Sequence, residues 1–409
     1  MRGLGAGLLL VAIGAVAGAG GLVLAGVVIA LVWLLRGLWT RFGLRALSYE
    51  RRLEATRSVV GEEIRLDLTV RNRKLLPVPW LAVDDLVTRS ATISGYNLEP
   101  ADVPGFAFLR TTWTIGWFER ATRRLQITAE RRGVYEFRGA RLLVADLFAR
   151  ELVSADRSDT ALYRVIPRSV PVRTTGAMSD LPGTARARHG LFEDPSQFAG
   201  VRPYLPGDSS RRIHWRATAR LGRPVSRRYD PGHEREMMLA IDLQTVPGPF
   251  WQMQYDDDLI EEVCTAAMSL ARSILGDGIA CGMAANAYSL GGRRAVHLAT
   301  SAAPAQAARI ADELAALSRW PSMPFGMLLG RLSRRMPPST IVLALSAQAP
   351  AGFLPVMRRL RQSGHPVRLV SIGPEAPAAV QAVRAFGIPA GIARLSPDWR
   401  TADALELAR

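Results

Sequence analysis

The sequence is poor in the residue types on which most catalytic chemistry depends: its 409 residues include one lysine, Lys74, five histidines and two cysteines. A P-loop needs glycine-rich backbone donors followed by a lysine, and Lys74 stands in RNRKLL without such glycines. Nucleotide hydrolysis by that route is excluded. His189, His214, His233, His297 and His365 form no HExxH or i,i+4 pair, so no zinc motif is present. There is no GxSxG elbow, and no nucleophile, base and orienter stand together at a known spacing. Cys264 and Cys281 have no CxxC partner and sit in apolar surroundings. They read as buried thiols, which suits a reducing compartment.

Charge is missing altogether from Gly3 to Leu35. One straight helix over that stretch would measure about 50 Å, against a hydrocarbon core of about 30 Å. The cluster Gly18-Ala19-Gly20-Gly21 near its middle predicts a hairpin of two short spans, roughly 4–18 and 22–38. One tilted span is the alternative count. Ala15-Val16-Ala17 also looks like a signal-peptidase site, but cleavage there would leave Leu22 to Leu35 unexplained. Arg36, Arg41, Arg45, Arg51 and Arg52 follow the apolar segment. By the positive-inside rule they place the rest of the chain in the cytoplasm, where they would meet anionic lipid headgroups.

What the chain has in surplus is positive charge: Lys+Arg 52 against Asp+Glu 36, a formal net charge of +16. Anionic lipid, nucleic acid or an acidic protein surface would each answer it. A chain of this length divides into more than one domain. The reading is of a membrane anchor and basic juxtamembrane segment (1–46), an antiparallel β-sandwich-like domain (47–167), a connector (168–236) and an α/β domain (237–409). In the second of these, Ile64, Leu66, Leu68 and Val70 alternate with polar residues, as do Leu125, Ile127 and Ala129. LLPVPWL, with Pro77 and Pro79, is expected to stay out of any central strand. After Glu236 the period changes, with strands at MMLAIDL, IACGMAA, TIVLALS and VRLVSIG separated by amphipathic helices. That alternation predicts a parallel sheet covered on both faces. Asp256-Asp257-Asp258 is expected to cap the helix that follows rather than hold a metal.

The connector carries the most unusual stretch, FAGVRPYLPGDSSRRIHWRATARLGRP. Pro206-Gly207 predicts a turn, Asp208 or Ser209 a helix cap, and Gly222 the stop of a helix running to Leu221. Ile213, Ala217 and Leu221 form an apolar stripe, with Arg211, Arg212, Arg216 and Arg220 elsewhere on the helix. Trp215 falls off that stripe and is expected to pack across the connector. Two uses of these residues stay open. The arginines could meet phosphates while Trp215 stacks on a base, or they could form ion pairs and cation–π contacts inside the protein.

The stretch resembles the signature of the bacterial domain-of-unknown-function family number 58 (DUF58). The matching positions are Phe198, Gly200, Arg202, Tyr204, Gly207, Asp208, Arg212, Ile213, Trp215, Ala219 and Arg220. The likeness extends to VVGEEIRLDLTVRNRKLLPVPWL, RRGVYEF and YRVIPR. The resemblance implies that the α/β domain is similar to von Willebrand factor type A domains, beginning at MMLAIDL. Such domains often hold Mg²⁺ through a DxSxS loop. Asp242 matches the first ligand, whereas Gln244 and Val246 stand where the serines should be, a degenerate site that predicts no metal and no other cofactor. The resemblance further implies a MoxR-type AAA+ ATPase as partner and a chaperone-like complex. The expected function is therefore a membrane-anchored, non-catalytic interaction or assembly factor in which the signature serves as a clasp or docking surface. A membrane-tethered nucleic-acid binder is the alternative.

Overall fold

The computed structural model describes residues 2–145, 152–174, 198–204, 213–229, 236–290, 292–337 and 340–408. They divide into two compact units, Met1–Ile166 and Pro167–Arg409.

The first unit opens with α1 (Arg2–Val16) and α2 (Gly20–Phe42). The turn between them falls at Gly18, whose φ of +66° is the left-handed region that glycine enters without strain. Small residues let the two helices touch. A methyl group on Gly26 would lie 2.8 Å from the Gly7 carbonyl oxygen and 2.7 Å from the Val11 nitrogen, the close approach typical of apolar helix pairs. At about 35 Å, α2 is long and apolar enough to cross a membrane. By length and composition α1 is a shorter apolar helix.

The strands of this unit are β1 (Leu47–Leu53), β2 (Arg57–Val59), β3 (Glu63–Asn72), β4 (Val78–Thr88), β5 (Ala91–Ile93), β6 (Glu99–Pro100), β7 (Phe106–Ile115), β8 (Arg120–Ala129), β9 (Gly133–Ala145) and β10 (Leu152–Ile166). They form a four-stranded sheet, β1-β3-β8-β5, and a six-stranded sheet, β2-β10-β9-β4-β7-β6. The second is mixed, because β2 runs parallel to β10. The period-two pattern works as the sequence implies: Ile64, Leu66, Leu68 and Val70 are buried while their neighbours turn outward.

Two expectations are corrected here. Pro79 lies in β4, a central strand, and is tolerated because the pairing with β7 slips between Val78 and Leu81, so no ladder hydrogen bond is asked of it. Arg51 does not reach headgroups. Its side chain is 2% exposed and its Nη1 lies 3.3 Å from Asp85 Oδ1, while the Tyr49 hydroxyl donates to the other carboxylate oxygen. This polar group ties β1 of one sheet to β4 of the other.

The second unit is built from β11 (Val172–Thr174), β12 (Phe198–Pro203), α3 (Trp215–Leu221), β13 (Val225–Tyr229), β14 (Glu236–Ile241), α4 (Asp257–Gly276), β15 (Ala280–Ala285), β16 (Ala287–Ser289), β17 (Val296–Ser301), α5 (Gln306–Ala316), β18 (Leu317–Pro321), α6 (Phe325–Leu332), β19 (Ile341–Ser346), α7 (Leu354–Gln362), β20 (Val367–Ile372), α8 (Ala376–Arg384), β21 (Ala390–Leu395) and β22 (Leu405–Ala408). Eight strands form one sheet in the order β11-β22-β21-β20-β19-β14-β15-β17. From β15 to β21 the pairs are parallel, and β17 and β22 pair antiparallel at the flanks. The near-continuous apolar strands follow from helices on both faces. Met238, Ala240, Val342 and Leu369 share a core with Phe325 and Leu329 of α6, Met357 of α7 and Val380 of α8. On the other side α4 runs against β14, β15 and β19. Asp256 caps α4, accepting from the amides of Asp258 and Leu259 at 3.0 and 3.1 Å. Both cysteines are fully buried. The start of the expected connector is itself sheet: β11 pairs in parallel with β22 and extends the edge.

Candidate functional site

In a parallel sheet of this kind, the loops that follow the carboxyl ends of the central strands are the usual place for a site. Here those ends belong to β14, β15 and β19, and they converge on Asp242. Its carboxylate is buried and fully engaged. Oδ2 accepts from Ser346 Oγ at 2.8 Å, and Oδ1 accepts from Asn286 Nδ2 at 2.7 Å and from the Gln244 amide at 3.1 Å. Asn286 is the hub. Its Oδ1 accepts from the Leu243 amide at 2.8 Å, and its Nδ2 also donates to the Met323 carbonyl at 3.2 Å. Ser346 Oγ in turn accepts from the Gln348 amide at 3.1 Å. Burial pushes the Asp242 carboxyl up to about 6, against the lowering effect of the donors from Ser346, Gln244 and Asn286.

These residues do not fit Mg²⁺, which needs near-octahedral oxygen ligands. Both Asp242 oxygens already serve internal donors. The Gln244 side-chain amide turns its Nε2 toward the carbonyls of Val246 and Gly248, and Val246 brings no side-chain oxygen. Among the described residues no group of three or more His, Cys, Asp and Glu could hold a metal ion. The arrangement is that of a buried clamp joining three strand ends.

After Asp242, the loop between β14 and α4 carries a short 3-10 turn, Phe250–Gln252. Trp251 on that turn is 68% exposed, and Met253 after it is also exposed. Phe250 braces Trp251 edge-on, with ring centroids 5.4 Å apart. The loop is anchored where it meets α4, since Thr245 Oγ1 accepts from the Asp256 amide at 2.8 Å. Beside it, Tyr255 meets Trp320 edge-on at 4.6 Å, and Arg319 lies over the Tyr255 ring. Sequence reasoning missed Trp251, Met253, Asn286 and Ser346. The polar pair stood at the ends of recognised apolar strands, where carboxyl-end positions carry the signal. The exposed pair lay in a turn-rich segment with no period.

The signature residues are spread along a strand pair and a helix. Phe198, Gly200 and Arg202 lie on β12, which pairs antiparallel with β13 with Arg202 in backbone register with Ser226. The Tyr204 amide donates to the Pro224 carbonyl at 3.1 Å, and Ile213 forms an isolated bridge to the same Ser226. Gly207, Asp208 and Arg212 lie outside the described residues, as does Ser209. Trp215, Ala219 and Arg220 stand exposed on α3.

The helix differs from expectation at its start. It begins at Trp215, because Ile213 is engaged with β13 and the His214 amide donates to the Val225 carbonyl at 2.9 Å. The cap is His214, whose Nδ1 accepts from the Ala217 amide at 3.1 Å. The end is as expected, with Gly222 at φ +63°. Trp215 does not pack across the connector: it is 68% exposed, and no residue of α3 is buried. Of the stripe, Ile213 and Ala217 are half-buried and Leu221 is exposed, so among the described residues it joins no core.

The uncharacterized protein YeaD of Bacillus subtilis is 22% identical over 256 residues, covering 61% of this chain and 58% of that protein. The chain thus spans less than two thirds of that relative's length. Among solved structures, the CARDB domain of the PF1109 protein from Pyrococcus furiosus is 17% identical, covers 29% of this chain and 89% of its own, and has a TM-score of 0.20. A cohesin module of a family 33 glycoside hydrolase from Clostridium perfringens is 12% identical, with 29% and 96% coverage and a TM-score of 0.21. Scores this low carry no argument. Residues 200–311 match the family described as Protein of unknown function DUF58, a span that holds the end of β12, α3, β14 and its aromatic loop, Asp242 and Asn286.

Proposed function

We propose that this chain is a membrane-anchored, non-catalytic interaction factor whose second unit is a von Willebrand factor type A-like domain that docks a protein partner. The aromatic loop at the carboxyl end of β14 carries the reading. Where a type A domain would offer a metal, this chain offers an exposed Trp251 and Met253 in the loop that follows an aspartate whose oxygens are already used. A large exposed aromatic braced by a neighbour is the kind of anchor that interfaces bury at their centre. The strand order supports the fold, with five adjacent parallel strands from β15 to β21 and the antiparallel β17 beyond β15. Anchoring rests on α2, with the short α1 packed on it as the second arm of a membrane hairpin. The basic residues after α2 favour a bacterial inner membrane with the soluble units in the cytoplasm. No metal or other cofactor takes part.

The partner that the family resemblance implies is a MoxR-type AAA+ ATPase. The test is affinity purification of the full-length chain from detergent-solubilised, nuclease-treated membranes, beside the variant Trp251→Ser/Met253→Ser. The reading expects a stoichiometric ATPase with the wild type and its loss with the variant at unchanged melting temperature. A partner retained equally by both would move the docking face elsewhere. The second reading, nucleic-acid binding, is favoured by Trp215 standing exposed among Arg216, Arg220 and Arg223 on and just after α3. It requires binding that falls steeply with salt, and salt-independent behaviour removes it.

A further inference from the structure

Among the described residues of the first unit outside its helices, a cluster of exposed apolar side chains lies at one end of the sheets. Leu75, in the loop from β3 to β4, is 74% exposed. Trp117 and Phe118, in the turn from β7 to β8, are 69% and 64% exposed. The fold holds the two loops together. Asn72, itself buried, donates to the carbonyls of Leu76 at 2.9 Å and Gly116 at 2.7 Å, and the Phe118 amide donates to the Lys74 carbonyl at 3.2 Å. Phe118 adopts a φ of +49°, a region uncommon for a bulky residue. The turn therefore presents its two rings outward at a cost in backbone freedom.

The same loops meet the end of α2. Trp39 Nε1 donates to the Pro77 carbonyl at 2.9 Å, and the Arg73 amide donates to the Ala46 carbonyl at 2.9 Å. A Cβ on Gly43 would lie 3.1 Å from the Val144 side chain. The apolar tip therefore stands beside the point where the long apolar helix ends and the sheets begin. Arg71, Arg73 and Arg120 stand exposed beside it along the chain, with Glu119 as the nearby acid, while Lys74 turns its ammonium to Asn72 Oδ1 at 2.9 Å. Aromatic rings flanked by basic residues at the end of a spanning helix match the chemistry of a headgroup layer.

We propose that the Leu75, Trp117 and Phe118 tip docks on the anionic surface of the same bilayer that α2 enters, fixing the first unit against the membrane as a second contact. This rests on the anchoring reading given above. The apolar side chains enter the boundary between headgroups and acyl chains, and the surrounding cations meet lipid phosphate or carboxylate. Asn72 holds the two loops of the tip together, and the Trp39–Pro77 hydrogen bond ties them to the helix.

The experiment uses the full-length chain in lipid nanodiscs of phosphatidylcholine and phosphatidylserine. Single nitroxide labels are placed at Leu75→Cys, Phe118→Cys, Leu31→Cys in α2 and Leu162→Cys. The native cysteines are buried, and unlabelled wild type is the control for that. Leu162 is an exposed residue at the far end of the sheets: it pairs with Glu136, whose amide donates to Thr88 Oγ1 at 2.8 Å, and Thr88 ends β4 roughly 35 Å from Val78. Collision rates with oxygen and with a water-soluble nickel chelate report depth. The expected result places the labels at 75 and 118 within about 10 Å of the boundary between headgroups and acyl chains, with Leu162 in water and Leu31 in the hydrocarbon. In discs of phosphatidylcholine alone the shielding at 118 should weaken. Labels at 75 and 118 as open to the chelate as Leu162, with Leu31 shielded, would overturn the proposal and leave the anchor intact. A water-exposed Leu31 would overturn the anchor itself. Shielding that ignores lipid charge would remove the cationic part of the account.

Discussion

Asp242→Asn should make the second unit more stable at neutral pH, although it removes the charge that a metal-binding reading would prize. Burial holds the Asp242 carboxyl at about 6, against an ordinary value of 3.8. Between these values the folded protein keeps a proton that the unfolded chain has released, so stability falls as pH rises through that window and stays lower above it. At about 1.4 kcal/mol per pH unit, the displacement is worth about 3 kcal/mol. Asparagine keeps the shape, and its oxygen can still accept from Asn286 and Gln244. Its amide would donate to Ser346, which must turn from donor to acceptor, a rearrangement costing about 1 kcal/mol. A net gain of about 2 kcal/mol is expected at about pH 7.5. Amide hydrogen exchange of peptides covering β14 and β19, read on the full-length protein in mild detergent, isolates this region from the first unit. The wild type should lose protection as pH rises from about 4 to 6, after correction for intrinsic exchange, and the variant should show a flat profile. A variant less protected than wild type at neutral pH, or one with the same slope, would refute the reasoning.

Two further outcomes follow from the same geometry. Asn286→Ala strips three buried hydrogen bonds and leaves the Leu243 amide without its acceptor, so it should cost about 3 kcal/mol, read as a lower urea midpoint of the second unit. Trp215→Ala, by contrast, removes an exposed ring and should leave the melting temperature within about 1 °C of wild type; a drop of several degrees would mean that α3 is buried against something.

Much of the fold was legible because it rests on periodicity. The alternation in β3 and β8 and the apolar runs of β14, β15, β19 and β20 were read at nearly their observed bounds, since burial on one or both faces writes itself directly into residue type. Local chemistry with a single cause was also visible, as in the Asp256 cap and the Gly222 stop. What failed depended on partners distant in sequence. Nothing near Pro79 announces that β7 slips past it. Nothing near Arg51 names Asp85, 34 positions further on, as its partner. Ile213 and His214 look helical in isolation, and only β13 shows why the helix waits for Trp215. The site was half legible. Asp242 was marked only through the family resemblance, as the match to a first metal ligand, while Asn286 and Ser346 gain meaning only when three strand ends meet, and Trp251 only when its exposure is known.

The central claim is that the aromatic loop after β14 is the docking face. Its most direct test is photocrosslinking in intact cells, with a benzophenone amino acid placed at Trp251 and, as a control, at Leu162. The account predicts one dominant adduct from position 251, with an AAA+ ATPase, and none of that size from position 162. Equal adducts from both positions, or a crosslink from 251 only to lipid or nucleic acid, would contradict it.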